Sequence, residues 1–282
     1  IKAVMKGIPR LLDGFNRNEV EGIGVAGQMH GLVILDENDE VIRPAILWND
    51  GRTYKEVEYL NCKIGKDKLK EWTGNIAFAG FTAPKLLWIQ ENEPENFARI
   101  KKIMLPKDYI NYWLTGVHST DYSDASGMLL LDVKNKIWSQ SMLDVCGISS
   151  DQLPDLFESY EITEHLRPEV SLQLGLTSNA FVIAGAGDNA AAAIGTGTVH
   201  DGNCNISLGT SGTIFIASSC FRNLSCEGIH NFAHANGAYH LMGCMLSAAS
   251  CNKWLYENIF KTEDYEGEQT AISLEKLGKN NV

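Results

Sequence analysis

The chain has 282 residues, 44% of them apolar and 21% charged, enough for a sizeable core and for two domains. Its 35 acidic and 24 basic residues leave a net charge of −11, which argues against nucleic acid or an anionic membrane as the main partner. No apolar run reaches the roughly 20 residues that span a bilayer, and seven scattered cysteines without a CxxC pair suit free or buried thiols in a reducing cytoplasm better than a disulfide framework or a zinc site.

The chain opens at Ile1 without an initiator methionine, inside an amphipathic helical pattern. Val4, Ile8, Leu11 and Leu12 are the expected apolar face, although Gly7 and Pro9 count against a helix. A glycine-rich buried strand is expected from Glu21 to Ala26. A hairpin should follow, turning at Asp36-Glu37-Asn38-Asp39. RPAILWND reads as another short strand. From Gly51 to Leu156 the signals are mainly helical. TAPKLLWIQENE, PKDYINYWLTG (Pro106 near the start, Gly116 near the end) and WSQSMLDVCG are the clearest helices.

NAFVIAGAGD returns to a strand and NAAAAIG to a helix. After Gly195 the texture turns to β-branched residues and glycines, with two strands about the GTSG turn. MLSAASCNKWLYENIF reads as one long helix. The fold class is α/β, with strand clusters on both sides of a helical insertion. The domain boundary is placed at 197/198.

Several stretches could carry chemistry. SLGTSGT, with Gly209, Thr210, Ser211 and Gly212, can be an ordinary hairpin turn or a loop whose N–H groups and hydroxyls grip phosphate oxygens. It is not a Walker A loop, because no GK[ST] follows. Asp188 stands where a strand ends and a helix begins. Ligands collect there in open α/β sheets, but an aspartate is also a favoured helix cap, worth about 1 kcal/mol. The helix start should favour its ionised form. GQMHG opens the backbone around Gln28, Met29 and His30, as a small-molecule pocket needs. The alternative is a hydrogen-bonding loop histidine. WNDGR, with Asn49, either borders that pocket or forms a turn and cap. His230 and His234 would share one face only in a helix, and the local pattern is strand and loop, so a metal site there is not favoured. Ser211 lacks the strand-turn-helix context of a nucleophile elbow.

GIGVAGQMHG, RPAILWNDGR, GFTAPKLLWIQ, LPKDYI, SDASGMLLLD, AGAGDNAAAAIG, SLGTSG and LSAAS occur in one order. Together they closely resemble the FGGY carbohydrate kinases, from about Gly22 to about Trp254. The resemblance implies two ribonuclease-H-like domains of the actin, Hsp70 and hexokinase type. Sugar would lie mainly in the first (1–197) and ATP mainly in the second (198–282), with a cleft closing between them. It implies Asp188 as the base that deprotonates the sugar hydroxyl. Met29 and His30 would contact sugar, with Gln28 and Asn49 nearby, and Gly209–Gly212 would be a phosphate loop.

GQMHG followed by WNDGR is most similar to members acting on the ketopentose D-xylulose. ATP and Mg²⁺ are the implied cofactors, with no metal ligand assigned on this chain. The implied setting is cytoplasmic, with a homodimer as one assembly option. Members begin with a glycine-rich phosphate hairpin and continue into an adenosine-binding segment. The expectation is therefore a chain truncated at both ends and, alone, inactive as a kinase. Another ketose or polyol, or an actin- or Hsp70-like nucleotide switch without a sugar site, are the alternatives.

Overall fold

The computed structural model defines residues 1–261 apart from Ser225. The chain divides into two compact units. The first comprises Ile1–Asn205 with Phe215–Gly243, the second Ile206–Ile214 with the chain from Cys244 on.

The first unit is organised by two chain segments that pair twice. Gly22–Ile23 lies parallel to Phe181–Ile183, with Gly22 opposite Phe181 and Ile23 opposite Val182. Ala26–Gly27 then lies parallel to Ala186–Gly187. Between the two pairings Gly185 adopts φ +76, and a Cβ there would sit 2.1 Å from the Val25 carbonyl oxygen, so only glycine fits. Ile162–His165 adds an antiparallel strand beyond Phe181–Ile183. Gly22–Ile23 is therefore an edge of its sheet, and Gly22 is exposed. The expected strand exists, but it is not buried.

Helix Lys2–Leu11 forms despite Pro9, with Arg10 in its last turn. Met5, Ile8 and Leu12 pack against the core around Leu114, Val170, Leu174 and Val182. Leu11 was expected on this face but is 76% exposed. Positions 5, 8 and 12 follow the 3.6-residue period, which carries residue 11 off the stripe.

A second core gathers Met29, Leu32, Ile34, Phe81, Leu86, Ile89, Ile103 and Leu131. Here Val33–Leu35 pairs antiparallel with Lys102–Met104. The expected turn at Asp36 is present: its Oδ1 accepts the N–H groups of Asn38 and Glu40 at 3.0 and 3.1 Å. RPAILWND does not form a strand. Only Ile46 bridges to Leu32, because Pro44 lacks a donor and the chain turns again at Trp48.

Helices Thr82–Asn92, Pro106–Thr115 and Gln140–Cys146 match the expected ones, with Gly116 and Gly147 left-handed at the last two ends. The stretch read as mainly helical also holds the strands Lys102–Met104, Ser119–Asp121, Leu131–Asp132, Ile137–Trp138 and Asp155–Phe157. Two or three residues are too few for a period-2 pattern to register. Asp188–Gly195 is a helix, and strands Cys204–Leu208 and Gly212–Ser218 flank GTSG, as read. Strand Tyr239–Met245 runs into the segment expected to be helical, so the helix there starts at Ala249. No helix of the described residues is long and apolar enough to cross a membrane.

Candidate functional site

The site grows from the second strand pairing. Gly27 is opposite Gly187, so Gln28 and Asp188 are the next residues as the two strands leave the sheet. Met29 turns inward and is 4% exposed. Its side chain lies on Gly187, where a Cβ would sit 2.9 Å from the Met29 Cγ. His30 takes the left-handed conformation, φ 68, unusual for a residue with a Cβ. Its Nδ1 is 2.8 Å from the carbonyl oxygen of Gly127. A carbonyl only accepts, so Nδ1 carries the proton and Nε2 of the neutral ring is a bare acceptor. Burial lowers the His30 pKa to about 3; the Gly127 carbonyl opposes this, while Lys85 and His230 add to it. The imidazole is therefore neutral at physiological pH.

Asp188 is the first residue inside its helix, with Gly187 as the N-cap. Its Oδ1 accepts the Asn189 N–H at 2.9 Å and the Asn189 Nδ2 at 3.1 Å. The N–H groups of the helix start favour the anion, as expected, but burial opposes them. Although the residue as a whole is exposed, desolvation raises the carboxyl's pKa above its usual value and outweighs the Asn189 bonds. A carboxylate of raised pKa is a better base.

Beneath the two strand ends lies a buried polar network that the sequence reading missed. Lys107 Nζ is 2.7 Å from Asp108 Oδ1 and 3.1 Å from Asp121 Oδ1, and all three side chains are fully buried. Burial alone would lower the Lys107 pKa, but the carboxylates of Asp108, Asp121 and Asp124 raise it, so it stays charged. Lys107 and Asn111 both donate to the Ala184 carbonyl, at 3.0 and 2.9 Å. Asp121 Oδ2 accepts from the hydroxyls of Ser123 and Ser159, and the Gly187 N–H donates to Ser123 Oγ at 3.2 Å. The strand carrying Asp188 is thus held at Ala184 and Gly187. Asp124, also fully buried, has no hydrogen-bond partner for either oxygen. Burial, and with it the neighbouring carboxylates, pushes its pKa well up against the pull of Lys107. Its sequence signal was only a run of small and acidic residues in SDASG.

WNDGR forms a turn. Asp50 takes the Arg52 guanidinium in two bonds of 2.9 and 2.7 Å and the Arg52 N–H at 3.1 Å. Arg52 also lies 4.7 Å from the centre of the Trp88 ring. Asn49 is exposed on this turn. His230 and His234 lie on the hairpin of His230–Ala233 and Tyr239–Met245, amid Phe78, Phe81, Phe215 and Phe232. Among the described residues no group of three or more His, Cys, Asp or Glu could hold a metal ion.

Gly209, Thr210, Ser211 and Gly212 belong to the second unit. The Gly209 carbonyl accepts the Ala249 N–H at 2.9 Å, and the Thr210 carbonyl accepts the Ala248 N–H and the Ser250 hydroxyl, both at 2.8 Å. Gly212 is pressed on this segment: a Cβ there would be 2.9 Å from that of Ala248. With its carbonyls engaged in this way, the loop keeps Gly209 and Thr210 exposed.

Residues 1–195 match the model of the FGGY family of carbohydrate kinases, N-terminal domain. The chain belongs to this family. It is 45% identical over 254 residues to a xylulose kinase of Escherichia coli, covering 90% of this chain and 52% of that protein. The crystal structure of a xylulose kinase from Brucella ovis superposes with a TM-score of 0.83 at 42% identity, covering 93% of this chain and 52% of that one. A gluconate kinase from Lactobacillus acidophilus superposes with a TM-score of 0.87 at 25% identity, over 93% and 53%. The chain thus spans about half the length of the relatives it matches, and its α/β fold is that of the FGGY sugar kinases, of the actin and hexokinase type.

Proposed function

We propose that the full-length protein transfers the γ-phosphate of ATP to D-xylulose, giving D-xylulose 5-phosphate. Residues 1–197 would supply the ketose site and the base, and 198–282 the start of the ATP-binding domain. The observation that carries this reading is the pairing of Gly27 with Gly187, which sets GQMHG beside Asp188. The xylulose kinases of Escherichia coli and Brucella ovis support the choice of sugar.

In this reading the neutral His30 accepts a sugar hydroxyl at Nε2. Met29 forms an apolar wall, and Gln28 and Asn49 add polar contacts. Asp188 takes the proton of the terminal hydroxyl as that oxygen attacks the γ-phosphorus. In a loose transition state the proton leaves late, so position matters as much as basicity. The exposed Gly209–Thr210 backbone and the hydroxyls of Thr210 and Ser211 suit phosphate oxygens. Mg²⁺ would neutralise charge on the transferred group. The enzyme would act on small molecules in the cytoplasm rather than on nucleic acid or membrane, in keeping with its acidic charge. A homodimer is the assembly to look for.

The test is a coupled assay on the full-length protein with D-xylulose, L-xylulose, D-ribulose, gluconate and glycerol. D-Xylulose should give the highest kcat/KM. Asp188→Ala should lower kcat by about 10²–10⁴ while calorimetry still shows sugar binding. Preference for gluconate, the sugar acid named in the Lactobacillus neighbour, would replace the substrate; turnover like wild type in Asp188→Ala would remove the base.

A further inference from the structure

GFTAPKLLW stood out in the sequence without a role. In the structure its lysine is fully buried, within a run where Ala83, Pro84, Leu86 and Leu87 are also buried. Lys85 Nζ donates to the carbonyl oxygen of His30 at 2.7 Å and to that of Gly80 at 2.6 Å. Thr82 Oγ1 donates to the same His30 carbonyl at 3.1 Å. The Phe81 ring lies 4.9 Å from the His30 ring. Gly80 abuts WNDGR, since a Cβ there would be 2.9 Å from the Trp48 carbonyl oxygen. Four residues of one segment therefore converge on His30 and on the loop after it.

A buried ammonium is costly, and an apolar side chain would pack as well among these neighbours. Burial lowers the Lys85 pKa to about 7, with Asp50 the charge that opposes the shift. What offsets the cost is the pair of carbonyl bonds. One of those carbonyls belongs to the residue in the strained left-handed conformation, where a non-glycine backbone needs outside support. Protonated or not, the amine still has donors for both oxygens.

We infer that Lys85 and Thr82 are positioning residues: they clamp the His30 peptide so that the imidazole donates its Nδ1–H to the Gly127 carbonyl and presents Nε2 to the ketose as an acceptor. The inference rests on the proposed ketose site. It makes GFTAPKLLW part of sugar selection without touching sugar.

The experiment uses the full-length protein with Lys85→Met, Thr82→Val and His30→Gln. D-Xylulose KM, ATP KM and kcat are measured, together with ring ¹⁵N shifts after selective histidine labelling, His30→Gln identifying the signal. Lys85→Met should raise the D-xylulose KM about tenfold and Thr82→Val about threefold, with kcat and ATP KM changed less than about twofold. The His30 signal should lose its pure Nδ1–H pattern in Lys85→Met. Thr82→Val removes one hydroxyl from a similar shape and serves if Lys85→Met does not fold.

An unchanged D-xylulose KM in the clamp variants, alongside a raised KM in His30→Gln, overturns the inference. If His30→Gln leaves KM unchanged, the proposed ketose site is what fails. The ring signal then decides the clamp alone: an intact Nδ1–H pattern in Lys85→Met, or in Thr82→Val should the first not fold, overturns it.

Discussion

The ammonium of Lys85 lies 2.7 Å from the carbonyl oxygen of His30, a residue 55 positions earlier in the chain. Without that contact the left-handed backbone at His30 has only the Thr82 hydroxyl on its carbonyl. The imidazole is steered from both ends, by the clamp on its own peptide and by the Gly127 carbonyl at Nδ1. The consequences can be measured at several points around it.

Gly127→Ala should disturb the ring directly. A Cβ at Gly127 would sit 2.2 Å from His30 Nδ1, closer than any real contact, so the imidazole must move. The expected outcome is a rise of about tenfold in D-xylulose KM, equivalent to one well-formed hydrogen bond, with ATP KM unchanged. Steady-state kinetics with each substrate varied in turn checks it.

The buried imidazoles make stability depend on acid. His30 and His230 have pKa values lowered by burial to about 3 and about 4, against 6.5 when unfolded. Between those values the unfolded chain binds protons that the folded one refuses. Their contribution is complete above pH 6.5 and is lost as pH falls toward 4, at about 1.4 kcal/mol per pH unit for each ring. Urea midpoints at pH 7 and pH 5 should show the drop, and His230→Gln should flatten it.

Lys107 and Asp124 should respond to very different extents. Lys107→Met leaves Asp108 and Asp121 buried without their cation, which costs about 3–5 kcal/mol. Asp124→Asn replaces a carboxyl whose ionised form burial disfavours and whose oxygens have no hydrogen-bond partner, and should change stability by less than about 1 kcal/mol. Denaturant titration of both variants separates the ion-paired members of the network from Asp124.

Asp188 should appear in the pH–rate profile. Desolvation holds its pKa above 3.8, so kcat should fall on the acid side with a midpoint above that value, as the base becomes protonated. An acid limb centred at or below 3.8 would show that the folded protein does not raise this carboxyl.

Much of this was legible in the chain itself, in places where the signal is local. Pro106 and Gly116 bracket a helix because one needs no N–H and the other takes a left-handed end. Asp36 turns a hairpin through bonds to N–H groups two and four residues on. Asp188 at a strand-to-helix junction and the glycines of GQMHG marked the two strand ends that the sheet aligns. Less legible were strands of two or three residues, such as Leu131–Asp132, whose pairing depends on a partner rather than on a pattern. Leu11 was misread because its neighbours fit the helical period better.

The sequence by itself determined the family, the α/β class and the residues at the two glycine-rich turns, since these depend on order along the chain and on local backbone preference. Only the tertiary structure decided that Gly27 faces Gly187, that Gly127 sets the tautomer of His30, and that Lys85 and Lys107 lie buried beneath the turns. Those outcomes are contacts between residues tens to more than a hundred positions apart. Burial lowers the pKa of Lys85, whose amine meets carbonyls, whereas at Lys107 the neighbouring carboxylates overcome burial and raise it.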